Sequence, residues 1–578
     1  MPPALHRNWP NIIAWLVIAA ISVWLFACVP WVNIDFDDGY STIVNAQYLL
    51  GASPEYAWQR GPLLAVWLMP AEALANHLGL PPFDVRLHHV LMAIAHALYL
   101  VICWLLLKQI HGNRWTVLAA FVLSIPSVLF FSYAPFVSHD IFPGVMALLM
   151  LKLAVDFHQR PTAWRWLSLV ALGAGAALVK QTFALFWVWL LLSFLAVAAI
   201  AGSDRPGLLR TWLRLAAAAA VSGAIAWLGY ASVLGSAFPD APFLLRPVQQ
   251  IGYISTQYET EGNIALVMDP WIYWRNIPAY GLAAVLLLLP GLLLCWRDGS
   301  GLLRLAAVFW LLGVTVMSLV PFKEVRYLAF LAPVTAVLIV PAIAELRRWP
   351  AVLVLLGLVF ALFDVRAGVS EALRLRDGYY AHAVMDFMRW LPSARDPSAR
   401  VVTTKPLSFV SPEGHGFRND RYHRITHISD FHIRNLVGYP ADSIRNVPLP
   451  RDLNKINFRE NDYVVFANDV ALRAGPFRAD NAVTLQDYFV EFIARVELLE
   501  LRRSGTSYEL TPPSPEPVML LPISTVSADP LTSFSTFSAD AVAGLLDLPR
   551  PLPPQLQVHG LRIKRLCSKQ GCQEFAPR

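Results

Sequence analysis

The sequence has few charged residues for its length. Asp, Glu, Lys and Arg make up only 15% of the 578 residues, whereas 56% are hydrophobic and the mean hydropathy is +0.49. A soluble chain would carry about 25% charged residues. The deficit is concentrated in residues 11–366, where apolar stretches recur with short charged interruptions. These features exclude an ordinary soluble protein, predict a polytopic α-helical membrane protein, and give no reason to expect a nucleic-acid partner.

The chain also lacks a nucleotide-binding glycine motif, an internal repeat and heptads, and it has only five cysteines. Cys28, Cys103 and Cys295 lie in apolar stretches, where thiols are usually inert core groups. Cys567 and Cys572 form a C-x4-C pair near the C-terminus. We expect a disulfide between them if that segment lies in an oxidising compartment, and a zinc site is the alternative.

Apolar stretches long enough to cross a bilayer predict about eleven transmembrane helices, since a span takes roughly 20 residues. Lys and Arg fall on alternate connections, so the positive-inside rule places those connections and the N-terminus in the cytoplasm. An odd number of crossings then places the C-terminal segment outside. The composition suits a bacterial inner membrane, with the C-terminal segment in the periplasm, and the endoplasmic reticulum is an alternative. The expected spans are 11–30, 88–107, 115–133, 141–157, 166–180, 182–201, 215–234, 279–296, 303–320, 327–345 and 350–366.

Composition changes after the last of these spans. Residues 1–366 form a membrane block, and residues 367–578 have the composition of a globular domain. The second block mixes an amphipathic helical pattern with short apolar strand patterns. We therefore predict an extracytoplasmic α/β or α+β domain there.

Three aspartates fall on connections predicted to be external. Asp37 and Asp38 directly follow the first span, and Asp140 precedes the fourth. Carboxylates in such positions suit a general base for an acceptor hydroxyl or amine. Asp38 and Asp140 suit a divalent cation, Mg²⁺ or Mn²⁺, equally well. A third interpretation is that Asp140 only caps the following helix.

Basic residues form a complementary external set. Lys180 interrupts an apolar stretch, and Lys323 and Arg326 lie in a later external connection. Cations at the membrane edge can bind the phosphate of a lipid carrier, although long side chains also reach the headgroups without any such role. The external connections also contribute residues that would line a substrate groove: His139, Glu324, Tyr253 and Tyr258. An interfacial aromatic belt is the alternative for the two tyrosines, and an ion pair with Lys323 or Arg326 is the alternative for Glu324.

The order of these motifs resembles that of the GT-C glycosyltransferases, integral-membrane enzymes that use polyprenyl-phosphate sugars and include aminoarabinose transferases and protein O-mannosyltransferases. Their acidic motif after the first span is matched by Asp37-Asp38-Gly39-Tyr40. A juxtamembrane basic segment is approximated by residues 60–67, beginning with Arg60-Gly-Pro, although the usual lysine-proline pair is absent. Further likenesses are Ser138-His139-Asp140, the small-residue stretch 173–180 ending in Lys180, and Pro321-Phe-Lys-Glu-Val-Arg-Tyr327, in which Phe322 replaces a histidine.

The resemblance implies an inverting transferase that moves a sugar from a polyprenyl-phosphate donor to a lipid, glycan or protein acceptor outside the cytoplasm. Asp37 or Asp38 would be the base, with Asp140 orienting the acceptor or sharing a metal. The donor phosphate would be held by Lys180, Lys323, Arg326 and Arg60, and Tyr40 would line the groove. A transporter or flippase of lipid-linked glycans is one alternative, and a glycan polymerase or ligase is another.

Overall fold

A computed structural model describes most of the membrane block and isolated strands of the C-terminal block. The described residues are 8–31, 37–53, 56–58, 60–80, 84–200, 205–252, 266–267, 271–297, 299–319, 325–376, 401–403, 422–424, 444–445, 463–467, 496–504, 507–511, 565–568 and 571–574.

The membrane block is helical. Its α-helices are α1 (Trp9–Trp31), α2 (Asp37–Leu49), α3 (Pro62–His77), α4 (Arg86–Leu107), α5 (Arg114–Ser124), α6 (Val128–Tyr133), α7 (Pro143–Gln159), α8 (Ala163–Val179), α9 (Leu185–Ile200), α10 (Arg205–Val233), α11 (Ile272–Arg275), α12 (Leu282–Arg297), α13 (Gly301–Leu319), α14 (Ala332–Leu346), α15 (Pro350–Val359) and α16 (Arg366–Arg376). Short 3₁₀ turns occupy Gln181–Ala184, Phe243–Leu245, Ile277–Tyr280 and Val325–Leu331.

Each span expected from the sequence coincides with helix. Among the described residues, seven helices are long and apolar enough to cross a membrane, and three shorter apolar helices accompany them. The expected span 115–133 is broken into α5 and α6. Pro126 lies in this break, and proline disfavours helix at and just before its position. The membrane-spanning helical fold is therefore confirmed, and the number of eleven crossings stays a prediction.

The helix ending at Leu346 is the centre of the bundle. Within the span Arg326–Leu346, 83% of the best apolar window is buried inside the protein, against only 6% for Pro350–Ser370. The central helix α14 packs on α5, α7, α12 and α13. Its apolar faces are thus covered by protein, whereas Pro350–Ser370 presents its side chains to the surroundings.

The last membrane helix is continuous from α15 to α16 through a π-helical turn, Phe360–Val365. Asp364 in this turn accepts hydrogen bonds from the backbone N–H groups of Leu282 and Ala283, at 2.7 and 3.0 Å. A carboxylate at the start of α12 satisfies donors that have no partner within that helix. The peripheral helix is thereby fixed to the bundle. It ends at Arg376, ten residues beyond the domain boundary expected at 366, and that boundary stays a prediction.

Strands in the C-terminal block form a mixed sheet. The order is β3 (Tyr422–Arg424), β2 (Val401–Thr403), β5 (Tyr463–Ala467), β6 (Val496–Ser504) and β7 (Ser507–Thr511), with β2 parallel to β3 and β5 and the remaining pairs antiparallel. A mixed sheet agrees with the expected α/β or α+β class. The other strands are β1 (Leu266–Val267), which pairs with β4 (Ile444–Arg445), and the hairpin β8 (Arg565–Ser568) and β9 (Gly571–Glu574). In that hairpin Cys567 lies opposite Cys572, and the expected disulfide stays a prediction.

Gly61, directly before α3, lies in close contact with the backbone at the end of α8. A Cβ atom at this position would lie 2.2 Å from the carbonyl oxygen of Leu178 and 2.4 Å from that of Val179. Backbone atoms cannot rotate away as a side chain can. Only a residue without a Cβ atom fits between them.

We expect Gly61→Ala to destabilise the protein by about 1–3 kcal/mol, the usual cost of overpacking. Gly223→Ala is the control, because a Cβ atom there meets nothing within 4 Å inside α10. This control change should be neutral or stabilise by about 0.5–1 kcal/mol, since alanine is the better helix former. Thermal unfolding of both variants in the same detergent compares them. Equal melting temperatures would contradict the proposed backbone conflict.

Candidate functional site

Asp140 lies at the centre of the site, in the connection between α6 and α7. Its side chain is buried, with 2% of the residue exposed. The backbone N–H of Asp140 donates to Ser138 Oγ at 3.3 Å, which fixes the local turn. A buried carboxylate is stable only when other groups supply the interactions that it loses from water.

Two cations from distant parts of the sequence supply those interactions. Lys180 Nζ donates to Asp140 Oδ1 at 3.0 Å, and Arg326 Nε lies 3.5 Å from Oδ2. Lys180 follows the end of α8, and Arg326 lies in the 3₁₀ turn before α14. We call Asp140, Lys180 and Arg326 the charged triad. Three of the residues that the sequence singled out are therefore brought into direct contact.

Tyr327 forms one wall of the charged triad. Lys180 Nζ lies 4.1 Å from the centroid of its ring, and Arg326 Cζ lies 5.4 Å from the same centroid. Both separations are within cation–π range. The ring therefore steadies both cations without neutralising either of them.

Two close contacts at glycine place the triad. A Cβ atom on Gly144, one turn after Asp140, would lie 2.7 Å from the carbonyl oxygen of Phe330, one turn after Arg326. Gly61, next to Arg60, meets the backbone that directly precedes Lys180. Small residues let helices and loops approach closely in this way. These contacts therefore hold the start of α7 against the turn that contains Arg326, and the backbone after Arg60 against the residues that precede Lys180.

A buried aromatic layer lies close to Lys180 and Arg326 along the chain. The Phe330 ring packs against Phe183, Phe186 and Trp189, with centroids 5.7, 5.4 and 5.4 Å away. All four side chains are buried. Phe183 and Phe330 lie within one helical turn of Lys180 and Arg326 along the chain, and charges near such a low-dielectric region interact more strongly than in water.

The acidic motif begins the helix beside the triad. Asp37 and Asp38 form the start of α2, and Thr42 Oγ1 of that helix lies 3.0 Å from His139 Nε2. Position 38 is four residues before Thr42, and residues four apart share a helix face. The start of α2 is thus attached to the connection that contains Asp140. The side chains of Asp37, Asp38 and Tyr40 lie outside the described residues.

The segment leading to Arg60 is held by several hydrogen bonds. Asn45 of α2 both donates to the carbonyl of Ala57, at 3.1 Å, and accepts from its N–H, at 2.5 Å. Tyr56 donates from its hydroxyl to the carbonyl of Arg60 at 2.9 Å. These bonds fix the backbone at Arg60 relative to α2.

Charge interactions decide the protonation state of Asp140. Burial alone raises the pKa of this carboxyl, but the neighbouring Lys180 and Arg326 lower it by more, so its pKa lies below the ordinary value. Asp140 is therefore ionised at neutral pH. Two cations share one carboxylate, which leaves one net positive charge in the triad.

This geometry bears on the expected divalent cation. Both Asp140 oxygens face a cation already, and a metal ion there would meet two positive charges at close range. Among the residues that the structure describes, no group of three His, Cys, Asp or Glu side chains could hold a metal ion. The charged triad thus does not fit a metal at Asp140, and a cation at Asp38 stays a prediction.

The remaining predicted residues fall outside this description. Lys323, Glu324, Tyr253 and Tyr258 lie outside the described residues. Conversely, sequence reasoning assigned no role to Thr42, Asn45 or Tyr327. Tyr327 adjoins a predicted cation, so its position carried a signal. Thr42 and Asn45 are ordinary polar helix residues, and only the three-dimensional contacts identify them.

Solved structures of similar fold are consistent with these observations. The aminoarabinose transferase ArnT from Cupriavidus metallidurans bound to undecaprenyl phosphate aligns with a TM-score of 0.53 and 15% identity, covering 80% of this chain and 94% of ArnT. Its apo structure aligns with a TM-score of 0.53 and 12% identity, covering 81% and 95%. The apo oligosaccharyltransferase from Archaeoglobus fulgidus aligns with a TM-score of 0.51 and 13% identity, covering 84% and 73%.

No protein-family model and no curated protein matches the sequence. At these identities the structural likeness establishes the fold and leaves the substrates open. The resemblance drawn from the order of motifs is nonetheless confirmed at that level. The chain shares its fold with ArnT and with the oligosaccharyltransferase from Archaeoglobus fulgidus.

Proposed function

We propose that the protein is an inverting glycosyltransferase that moves a sugar from a polyprenyl-phosphate donor to an extracytoplasmic lipid, glycan or protein acceptor. The observation that carries this proposal is the charged triad. Two cations and a carboxylate meet at the ends of apolar helices, beside a helix that begins with two aspartates. The ArnT structure with undecaprenyl phosphate supports the donor class.

The donor phosphate would be bound by Lys180 and Arg326, and Arg60 and Lys323 are the further phosphate-binding residues that we propose. An acceptor oxygen or nitrogen attacks the anomeric carbon as the bond from that carbon to the phosphate oxygen breaks. The electron pair of the broken bond stays on the phosphate. Lys180 and Arg326 stabilise that growing charge, and they do so best in a site that excludes water.

The acceptor proton would pass to Asp37 or Asp38. Both lie at the start of α2, which the Thr42–His139 contact attaches to the triad connection. Asp140 is unsuited to the role of base, because its two oxygens are occupied by cations. The two acidic motifs would thus have different functions: one takes a proton and the other positions the phosphate-binding cations.

Other parts of the proposal concern location and partners. Membrane lipids would surround the exposed face of Pro350–Ser370. The lipid tail of the donor would enter sideways between helices. We place the protein in a bacterial inner membrane, with the N-terminus cytoplasmic and the soluble domain periplasmic, where it would cover the site or recognise the acceptor.

Lys180→Met should lower the catalytic efficiency with the donor by about 100-fold or more, because a buried charge contact to a leaving phosphate is lost. Lys152→Met is the matched control. Lys152 also pairs with an aspartate, Asp156, at 2.6 Å. Both residues lie within α7 and not in the connection that holds Asp140. The measurement is release of polyprenyl phosphate from a labelled polyprenyl-phosphate sugar by purified protein in nanodiscs, with transfer to an acceptor scored separately.

Wild-type release together with transfer supports the proposed enzyme. Uptake or translocation of intact donor, without bond cleavage, would instead identify a flippase. Equal losses in the Lys180 and Lys152 variants would remove the special role of Lys180.

Asp37→Asn combined with Asp38→Asn should abolish sugar transfer, because amides cannot accept the acceptor proton. Loss of a general base costs about 10²–10⁴-fold in rate. Donor binding should be retained, since the phosphate contacts are elsewhere. Turnover and donor affinity are measured on the same preparation. Turnover near the wild-type rate would defeat the assignment of the base.

A further inference from the structure

The charged triad contains a carboxylate, which a site for phosphate does not need. Two cations alone would bind an anion. Here Asp140 contacts both Lys180 and Arg326, and it is almost fully buried. One negative charge is thus placed permanently beside two of the groups proposed to bind phosphate.

We propose that Asp140 sets the charge preference of this site, so that it favours a singly charged phosphodiester over a doubly charged phosphomonoester or a diphosphate. This inference rests on the proposed function and deepens it. The triad carries one net positive charge, which matches the single charge of a phosphodiester donor. Asp140 would act through the two cations as a positioning residue that also limits how much negative charge they can hold.

The reaction itself changes the charge of the bound group. Cleavage of the bond between the sugar and the phosphate oxygen leaves the electron pair on that oxygen, and the acceptor proton goes to the base on α2. The bound lipid therefore changes from a phosphodiester with one charge to a phosphomonoester, whose second ionisation lies near pH 6. At neutral pH the product gains most of a second negative charge. Repulsion from Asp140 then favours release of the product.

The surroundings strengthen this effect. The buried aromatic layer around Phe330 lowers the local dielectric constant, so charges a few ångströms apart interact more strongly than in water. Tyr327 contacts both cations through its ring and adds no charge. His139 directly precedes Asp140 in the chain, and its Nε2 lies 3.0 Å from Thr42 Oγ1 of α2.

Asp140→Asn tests the inference, because asparagine keeps the size and removes the charge. Binding of three short-chain probes to the full-length protein is compared: farnesyl phosphate, methyl farnesyl phosphate and farnesyl diphosphate. The wild type should bind the diester at least as tightly as the other two. At pH 7.5, Asp140→Asn should shift the ratio of affinities towards the monoester and the diphosphate by about tenfold. This is less than the full interaction of two charges a few ångströms apart in a region of low dielectric constant.

The pH profile separates charge from structure. Between pH 5.5 and 7.5 the affinity of Asp140→Asn for farnesyl phosphate should rise as the probe gains its second charge, and that of the wild type should rise less or fall. Methyl farnesyl phosphate has a constant charge over this range. Any change in its binding therefore comes from ionisation of groups in the protein, not of the probe, and is subtracted.

Two further variants keep the test decisive if Asp140→Asn fails to fold. Lys180→Gln removes a positive charge and should shift the preference the opposite way, further against the doubly charged probes. The double variant Asp140→Asn with Lys180→Gln restores one net positive charge and should return the preference towards that of the wild type. A purely structural role for Asp140 predicts that the double variant is worse than either single change.

The inference is overturned if each variant keeps the wild-type ratio of affinities for the three probes. Failure of the proposed function has a different signature. In that case the wild type neither cleaves a polyprenyl-phosphate sugar nor binds any of the probes. If the wild type turns over the donor but the variants keep its ratio of probe affinities, only the proposed charge preference is contradicted.

Discussion

The burial of Asp140 between Lys180 and Arg326 is the constraint on which the rest of the site depends. A charged group of this kind, removed from water, needs good geometry with its partners, and losing one partner leaves an uncompensated charge. The three residues come from the α6–α7 connection, the end of α8 and the turn before α14. Their contact ties three separate segments together at one end of the bundle. The site is therefore complete only when these three segments of the bundle are packed together.

Helix packing supplies the accuracy that the ion pairs require. The turn containing Arg326 leads directly into α14, and their span Arg326–Leu346 is the most buried of the candidate spans among the described residues. The close approach at Gly144 joins the start of α7 to that turn. By contrast, the peripheral helix after Pro350 is attached through Asp364 at the start of α12. The charged triad is therefore attached to the buried centre of the bundle and not to its periphery.

Much of this architecture could be predicted from the sequence. Long apolar stretches report their helices directly, and the alternation of basic connections predicted that Asp140, Lys180 and Arg326 share one side of the membrane, in agreement with their contact. Pro126 could have predicted the break between α5 and α6, but the apolar pattern continues across it and indicated a single span. The pairing of Asp140 with the two cations was not readable. Opposite charges on three distant connections suit a metal site, a base or an ion pair equally well, and only distances separate these possibilities.

The close contact at Gly61 has an evolutionary consequence. Its obstructing atoms are the backbone carbonyl oxygens of Leu178 and Val179, which every amino acid carries. A larger residue at position 61 could not be accommodated by a compensatory mutation at either neighbour, because no change of side chain removes a carbonyl. Descendants that retain this contact should therefore keep glycine at this position, without any covarying partner to reveal why.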